Sequence, residues 1–156
     1  MKPDQVVAID ISERELKEAP KNLFLKIVMD ASDLKFVDAT FHTETAFFSL
    51  MFMPPTIHRK VFSEAYRVMH PGGRMLIWDA VVPAASDGAD GKRFDVYLRT
   101  KLPSETIEYG YSIARYERVL DPAYYTALAK DCGFEVVKLT EQNSPRRTFF
   151  LELRRP

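Results

Sequence analysis

Glycine, cysteine and histidine are scarce in this chain of 156 residues. It has six glycines, and Gly72 is the first of them. The single cysteine, Cys132, excludes an intramolecular disulfide and fits a reducing compartment, so we expect a cytoplasmic protein. The three histidines and the cysteine show no spacing typical of metal ligands. The sequence therefore predicts no metal site.

Net charge and long apolar runs are also lacking. Lysine plus arginine total 22 and aspartate plus glutamate total 22, so the formal net charge is zero. Such a chain has no overall field that would attract nucleic acid or an anionic membrane. The apolar stretch after residues 1–4 is too short for a signal peptide or a membrane span. We therefore expect one globular domain, with neither nucleic acid nor a membrane among its partners.

The first two apolar runs each end in an acid. Residues 5–9 precede Asp10, and residues 23–29 precede Asp30. Short runs that are apolar throughout are typical of strands buried on both faces. Between them, the capping-box sequence that begins at Ser12 starts a short helix. Strand, helix and strand predict a βαβ unit with a right-handed crossover, which places both acids at the same edge of the sheet.

The middle of the chain predicts a strand, a helix and another strand. Residues 43–53 are apolar, with a strand in their first half, and Thr56 is the predicted cap of the next helix. The Gly72-Gly73 pair is expected to end that helix and to lead into a strand at residues 75–78. A cation is favoured at a helix C-terminus, so we expect His70 to interact with this one.

The last third of the chain is less regular. Residues 80–92 predict an exposed loop, and residues 94–120 fit either a helix or an extra pair of strands. Asp121 is a strong helix cap because a proline follows it, and Gly133 ends that helix. Alternating apolar residues then predict two antiparallel strands, at residues 134–140 and 147–153.

Three segments resemble the class I S-adenosylmethionine-dependent methyltransferases, especially the small-molecule branch that includes the ubiquinone/menaquinone-biosynthesis type. Residues 6–12 (Val-Val-Ala-Ile-Asp-Ile-Ser) are similar to that family's second strand and its acid. Residues 30–34 (Asp-Ala-Ser-Asp-Leu) are similar to the end of its third strand. Residues 64–73 (Glu-Ala-Tyr-Arg-Val-Met-His-Pro-Gly-Gly) are similar to its most specific signature, a helix that turns into a strand. The resemblance is close over residues 6–79 and looser over residues 121–153.

The resemblance implies an α/β fold. This is the Rossmann-like methyltransferase three-layer sandwich, with a mostly parallel sheet and a C-terminal antiparallel hairpin. It also implies S-adenosylmethionine as the cofactor, with Asp10 gripping the ribose hydroxyls and Asp30 and its neighbours meeting the adenine. The cofactor-binding residues it predicts are Asp10, Ile11, Asp30, Ala31, Ser32 and Ser49. No catalytic side chain is predicted, because methyl transfer depends mainly on positioning and desolvation.

The family's first strand, its Gly-rich loop and the following helix are missing before residue 6, and no glycine precedes Gly72. Three explanations stay open: a fragment or a misassigned start codon, a degenerate member that no longer binds the cofactor, or an assembly partner that supplies a strand and a replacement site. We expect a truncated domain over residues 1–156. Its parts are a remnant of the cofactor half (5–79), a variable region (80–120) and a terminal helix with its hairpin (121–154).

The expected function is that of a methyltransferase-family protein acting on an unknown small molecule. Catalysis would be impaired by the missing loop, and exposed sheet edges favour a homodimer. One alternative is a non-enzymatic, homodimeric interaction or regulatory module on a degenerate fold. A nicotinamide-dependent enzyme is a second alternative, because Asp10 would suit its ribose too. The aromatic and methionine-rich residues 47–53 and Trp78 would floor a substrate pocket or would simply be core.

Overall fold

The computed structural model describes residues 6–19, 24–86, 92–101, 105–143 and 147–156. Parts of the predicted 80–92 loop and of the turn before the last strand lie outside these residues. No helix in the described ranges is long and apolar enough to cross a membrane.

The N-terminal residues form the predicted βαβ unit. Strand β1 (Val7–Asp10) and strand β2 (Leu25–Val28) are parallel, and helix α1 (Glu13–Glu18) connects them. Ser12 caps α1, since its side chain accepts the backbone N–H of Glu15 at 3.3 Å. The capping box is only half formed, because the N–H of Ser12 donates to Asp10 at 2.7 Å and not to Glu15. This pair of strands is a sheet of its own.

A second sheet holds four strands in the order β3-β4-β8-β7. Strands β3 (Phe41–Phe47) and β4 (Met69–Ala80) are parallel. Strands β7 (Glu135–Gln142) and β8 (Thr148–Arg154) are antiparallel to each other, and β8 is antiparallel to β4. The predicted C-terminal hairpin is therefore confirmed. Strand β4 is longer than the predicted residues 75–78, because it begins directly after the preceding helix, without an intervening loop.

The variable region forms strands. Strands β5 (Arg93–Lys101) and β6 (Thr106–Ala114) pair antiparallel as a separate hairpin, which excludes the helical alternative for that stretch. The hairpin packs on a single 3₁₀ turn that follows β3 (Leu50–Phe52). Ile113 of β6 is buried, and Tyr111 meets Phe52 edge to face at 5.4 Å between ring centroids.

Helix α2 (Pro55–Val68) carries the signature residues, and both of its ends differ from the prediction. Pro54, not Thr56, is the N-cap residue, and Pro55 occupies the first turn, where a missing N–H costs no helical hydrogen bond. The helix ends at Val68, before the Gly72-Gly73 pair. Its last carbonyls need a donor because no intrahelical N–H reaches them.

Arg155, not His70, supplies the cation at this helix end. Its Nη1 donates to the carbonyls of Tyr66 at 2.9 Å and Met69 at 2.6 Å, and its guanidinium lies 4.6 Å from the centre of the Tyr66 ring. His70 instead stacks on His42, with the ring centroids 4.8 Å apart. The position of a positive charge at the helix C-terminus was predicted correctly, but the residue was wrong.

Helices α2 and α3 (Pro122–Asp131) pack on one face of the four-stranded sheet. Asp121 caps α3 as predicted, accepting the N–H of Tyr124 at 2.8 Å, and Gly133 ends it with a φ of +97°. The most deeply buried side chains lie between these helices and the sheet: Phe62, Val68, Ile77, Tyr125, Leu151 and Leu153. This layer is the hydrophobic core.

The opposite face of the same sheet carries a cluster of apolar side chains that are half-buried or exposed, bordered by polar ones. We call it the bare face, and it comprises Phe47, Leu76, Trp78 and Phe150. The Phe47 side chain is 68% exposed. Trp78 and Phe150 lie side by side, 4.8 Å between ring centroids.

Arg67 joins the two sheets. Its guanidinium makes a bidentate pair with Glu64 on the same helix, at 2.9 and 2.8 Å. The same group donates to the carbonyls of Leu34 and Phe36 and to the carboxylate of Asp38, all in the segment that follows β2. This pattern explains physically why the signature contains an arginine: only a guanidinium presents so many donors in one plane.

We expect Arg67→Ala to lower the free energy of unfolding by about 2–3 kcal/mol, because several charge-assisted hydrogen bonds are lost and acceptors are left without a donor. Arg67→Lys recovers only part of this, since an ammonium cannot make the bidentate pair. Arg59→Ala on the same helix is the control, because Arg59 has an exposed ion pair with Asp131 and should change stability by less than about 0.5 kcal/mol. Urea unfolding measures all three, and equal losses at both positions would contradict the linking role of Arg67.

Candidate functional site

The ends of β1 and β2 bring the two predicted acids to one edge of the N-terminal sheet. Asp10 is the last residue of β1 and lies opposite Val28 in the parallel register. The N–H of Met29 donates to the Asp10 carbonyl at 3.0 Å, so β2 continues alongside Asp10 toward Asp30. The two residues therefore share the carboxyl end of neighbouring parallel strands, where ligands of open α/β sheets bind.

The Asp10 carboxylate is held in place and still has acceptor capacity. Its Oδ1 accepts the Ser12 N–H at 2.7 Å, which fixes the side chain against the start of α1. Its Oδ2 makes no hydrogen bond within the described part of the chain. Ile11 follows it and is 73% exposed, an apolar surface beside a carboxylate. An oriented carboxylate of this kind can accept hydrogen bonds from the hydroxyls of a ribose.

Asp30, Ala31 and Ser32 form a tight turn. The Asp30 Oδ1 accepts the Ser32 N–H at 2.8 Å, and hydrogen bonds from Ser32 lower the pKa of Asp30. The Asp30 carbonyl accepts from Asp33 N at 3.0 Å, and Ala31 packs against the core. Asp30 is thus a turn-forming residue whose Oδ1 is engaged by Ser32, and its exposed carboxylate and the backbone of the turn are both accessible to a ligand.

The end of β3 contains a strained residue. Phe48 has a φ of +46°, a left-handed conformation that is rare for a bulky side chain. Its N–H donates to the Trp78 carbonyl at 2.7 Å, and Ser49 follows it immediately before the 3₁₀ turn. Strained backbone of this kind is concentrated at functional sites. This strain was not predictable from local sequence, because glycine and asparagine, the usual residues in this conformation, are absent there.

Asp79 is a buried acid at the end of β4 that sequence reasoning missed. Its side chain is fully buried, with Oδ2 accepting the Met51 N–H at 3.1 Å and Oδ1 accepting the Ala80 N–H at 2.8 Å. Burial raises the pKa of Asp79 to about 7. The signal was available, since an acid that follows a buried apolar strand is the pattern that identified Asp10. The predicted strand stopped one residue short of it.

Polar side chains from α2 and α3 support the same 3₁₀ turn. The buried His58 ring contacts the Leu50 carbonyl at 3.1 Å and the Tyr124 hydroxyl at 2.9 Å. Burial lowers the pKa of His58, so the ring stays neutral near pH 7. The Tyr125 hydroxyl is buried and has no partner among the described residues. His58 is best described as a structural residue that holds the turn beneath the end of β3.

The predicted site residues fall into two groups. Asp10, Ile11 and the turn of residues 30–32 lie together at the end of the N-terminal sheet. Ser49 lies at the end of β3, in the other sheet, and no strand pairing joins the two sheets in the described residues. No group of three acidic, histidine or cysteine side chains in those residues could hold a metal ion.

Comparison with known proteins shows what the chain resembles. Residues 2–77 match the family model of a methyltransferase domain. The ubiquinone/menaquinone biosynthesis C-methyltransferase UbiE of Roseobacter denitrificans is 27% identical over 116 residues, and that of a Ruegeria species is 29% identical over 117. The chain is therefore similar to methyltransferases in sequence. Each match covers 70% of this chain, which spans only 45% of the length of these relatives.

Solved structures of the methyltransferase fold superpose on nearly the whole chain. The PH0226 protein of Pyrococcus horikoshii has a TM-score of 0.69 at 18% identity, covering 97% of this chain and 71% of its own. A methyltransferase of Methanosarcina mazei has a TM-score of 0.66 at 17% identity, covering 96% of this chain and 81% of its own. The [4+2]-cyclase SpnF has a TM-score of 0.67 at 14% identity. At such identities these comparisons establish the Rossmann-like methyltransferase fold alone.

The residues present fit one half of S-adenosylmethionine, the cofactor that the resemblance implies. Asp10 and the turn of residues 30–32 supply a carboxylate and backbone groups suited to ribose and adenine. A backbone cradle for the methionyl part requires glycine at a sheet edge near Asp10. The described glycines lie elsewhere: Gly72 and Gly73 at the start of β4, Gly110 in the β5–β6 hairpin and Gly133 after α3. Among the described residues, therefore, no glycine cradle for the methionyl half of the cofactor lies beside Asp10.

Proposed function

We propose that this chain forms the adenosine half and the acceptor side of a methyltransferase that acts on a small molecule. The observation that carries the proposal is Asp10, an oriented carboxylate with a free oxygen at the carboxyl end of a parallel strand. The turn of residues 30–32 frames the adenine beside it. The similarity to methyltransferases makes methyl transfer the reaction class, and the methyl acceptor stays undefined.

The cofactor, when bound, supplies a methyl group on a sulfonium centre. The residues of this chain contribute by binding and by excluding water. Asp10 orients the ribose, while the strained Phe48 and the neighbouring Phe47 present an apolar surface at the end of β3. A desolvated, well-oriented site supplies most of what a displacement at a methyl group requires. No side chain is assigned the role of a base.

The test is calorimetric titration with S-adenosylhomocysteine and with adenosine. Since only the adenosine half fits, we expect both ligands to bind in the millimolar range with affinities within about threefold of each other. Asp10→Asn keeps an acceptor for the Ser12 N–H but removes the charge, and it should weaken both ligands about tenfold, the effect of one lost charge-assisted hydrogen bond.

Asp33→Asn is the matched control for Asp10→Asn. Its carboxylate is exposed and pairs with Lys35 at 2.6 Å, on the same side of the fold but outside the proposed ribose site. It should leave both affinities unchanged. Absence of binding by either ligand at millimolar concentration would sink the proposed adenosine site.

The second candidate is a non-enzymatic homodimeric module. The observation in its favour is the bare face, on which Phe47 is 68% exposed beside a free strand edge. Sedimentation equilibrium decides it: a dimer whose formation is abolished by Phe47→Asp, combined with no adenosine binding, favours this role. A cytoplasmic location remains a proposal that rests on the single cysteine.

A further inference from the structure

We propose that two copies of this chain pair through strand β2, with the two β2 strands antiparallel around a twofold axis at Val28. The pairing would join the two N-terminal sheets into one sheet with the strand order β1-β2-β2-β1. It would also place Lys26 of each copy opposite Asp30 of the other, beside the turn of residues 30–32. The dimer stands on the structure alone, and only its effect on adenosine binding rests on the proposed function.

The outer edge of β2 is open. Among the described strands, β2 pairs with β1 alone. The N–H groups of Leu25 and Met29 donate to carbonyls of the segment that contains β1, at 3.1 and 3.0 Å. Because backbone groups alternate in direction along a strand, the N–H and C=O groups of Lys26 and Val28 point away from β1. This edge therefore presents a row of donors and acceptors with which a further strand can pair.

The side chains along this edge are apolar and exposed. Leu25 is 60% exposed and Val28 is 55% exposed, although both belong to a strand. Beside them, α1 and β2 form an open groove of about 350 Å³, lined by Leu16 and Val28 together with charged side chains of both elements. An open strand edge with exposed apolar side chains favours the addition of another strand.

The charges along β2 favour a second copy of the same strand as the occupant. The positions directed outward are Lys26 and Val28, and Asp30 follows two residues later. Around a twofold axis, each position faces the position at the same distance on the other side of the axis. An axis at Lys26 or at Asp30 would set like charges opposite each other, whereas an axis at Val28 sets Lys26 opposite the partner's Asp30. The strand is therefore complementary to itself in this register.

Helix α1 fits the same arrangement. It packs over both β1 and β2, so its axis lies above the two strands and leaves the edge of β2 accessible. With strands about 4.8 Å apart, a twofold axis just outside β2 would place the two α1 helices roughly 10 Å apart, which is the spacing of packed helices. Glu13 and Lys17, which line the groove and pair within the helix at 2.8 Å, would lie along this contact. The dimer would thus close the groove from both sides.

The pairing also reaches the proposed adenosine site. Asp30 begins the turn of residues 30–32, where its Oδ1 accepts the Ser32 N–H at 2.8 Å. In the dimer, the partner's Lys26 would lie beside this carboxylate, and the carbonyl of that lysine would accept the Asp30 N–H. A turn that is already held loses less conformational freedom when a ligand binds. We therefore expect adenosine to bind the dimer about fivefold more tightly than the monomer, and by linkage to strengthen the dimer by the same factor.

Sedimentation equilibrium over a wide range of protein concentrations tests the dimer, and we expect a monomer–dimer equilibrium. Val28→Lys should raise the dimer dissociation constant by about tenfold or more, because two lysines would meet at the axis. The side chain is exposed, so the variant should fold. Val119→Lys is the matched control, an exposed valine (40%) outside β2, and it should leave the constant unchanged. Phe47→Asp on the bare face should also leave it unchanged.

Two charge variants test the register. Lys26→Glu and Asp30→Lys should each weaken self-association by about tenfold, because like charges would then face each other twice in each dimer. An equimolar mixture of the two variants should restore the wild-type constant, since both facing pairs of the mixed dimer are oppositely charged. Restoration in the mixture also shows that each variant is folded.

A protein that stays monomeric at every concentration would overturn the proposal. A dimer that is insensitive to Val28→Lys, or that is lost in Phe47→Asp, would overturn it as well. Loss in Val28→Lys without restoration in the mixture would overturn the Val28 register. Association is measured without ligand, so a failure of adenosine to bind would count against the proposed function and leave the dimer in place. Equal adenosine affinity of monomer and dimer would overturn the link between the pairing and the site.

Discussion

Gly73→Ala is expected to destabilise the protein by about 3 kcal/mol or more, while Gly72→Ala beside it should cost about 1 kcal/mol. A Cβ at position 73 would lie 2.6 Å from Met69 Cγ and 2.7 Å from the His70 carbonyl oxygen. It would also lie 3.1 Å from the His42 carbonyl oxygen. Two of these three atoms belong to the backbone and Met69 is fully buried, so no flexible group can move away.

Gly72 is a matched control because alanine at this position would be disfavoured only by the backbone conformation and not by a steric clash. It has a φ of +80°, and a Cβ there would meet nothing within 4 Å. Both glycines hold the C-terminal segment, through Gly72 N–H to the Arg155 carbonyl at 2.8 Å and Arg155 N–H to the Gly73 carbonyl at 3.1 Å. Urea unfolding of the two variants measures the difference. Equal losses would mean that the close approach at position 73 does not constrain the turn.

The physical role of the Pro-Gly-Gly turn is not the one that the sequence predicted. The glycine pair was expected to end α2, yet the helix ends at Val68. The glycines instead lie within β4, where Gly73 allows close approach to Met69 and His70 and both glycines bond to Arg155 near the end of the chain. Close approach between segments is a property of the packed structure, and no local pattern reveals it.

Local patterns predicted what depends on neighbours in the chain. The ends of β1 and β2, the Ser12 cap and the Asp121 cap follow from short-range spacing, and the structure has all of them. Interactions over long sequence separations were not predictable in this way. Arg155 donates to carbonyls 86 to 89 residues earlier in the chain, at the helix end where His70 was predicted to lie.

In the candidate site, too, residues that follow local patterns were predicted, and features that depend on tertiary contacts were not. Asp10 and Asp30 were found because each follows an apolar run, and the family resemblance supplied their expected roles. The strain at Phe48 and the burial of Asp79 depend on how β3, β4 and the 3₁₀ turn meet. Among the described strands, no pairing joins β1 to β3.

Asp79 should make the protein more stable at acidic than at alkaline pH. Burial raises its pKa from an ordinary value of 3.8 to about 7 in the folded state. Between these values the folded protein binds a proton that the unfolded chain has released. Its contribution is therefore fully present below about pH 4 and is lost as the pH rises through about 7, by about 4 kcal/mol in total.

Ionisation of Glu44 also lowers stability as the pH rises, so its contribution has to be distinguished from that of Asp79. It is partly buried on β3, its Oε1 has no hydrogen-bond partner among the described residues, and burial raises its pKa to about 8. Glu44→Gln should leave a fall in stability that ends near pH 7, because only Glu44 contributes between about pH 7 and 8. Asp79→Asn should leave a shallower fall that continues to about pH 8, because an amide cannot titrate and its oxygen can still accept one of the two backbone N–H groups.

Urea unfolding of the wild type and both variants from pH 4 to pH 9 measures these contributions. The wild-type curve minus the Asp79→Asn curve should fall from about pH 4 to about pH 7 and be level above that. A carboxyl ¹³C titration with its midpoint near pH 7 should be assigned to Asp79. A titration near pH 4 would contradict the raised pKa. Because Asp79 holds the Met51 N–H, its ionisation acts directly on the 3₁₀ turn at the end of β3. The same titration, with its midpoint near pH 7, should therefore appear in the backbone amide shift of Met51.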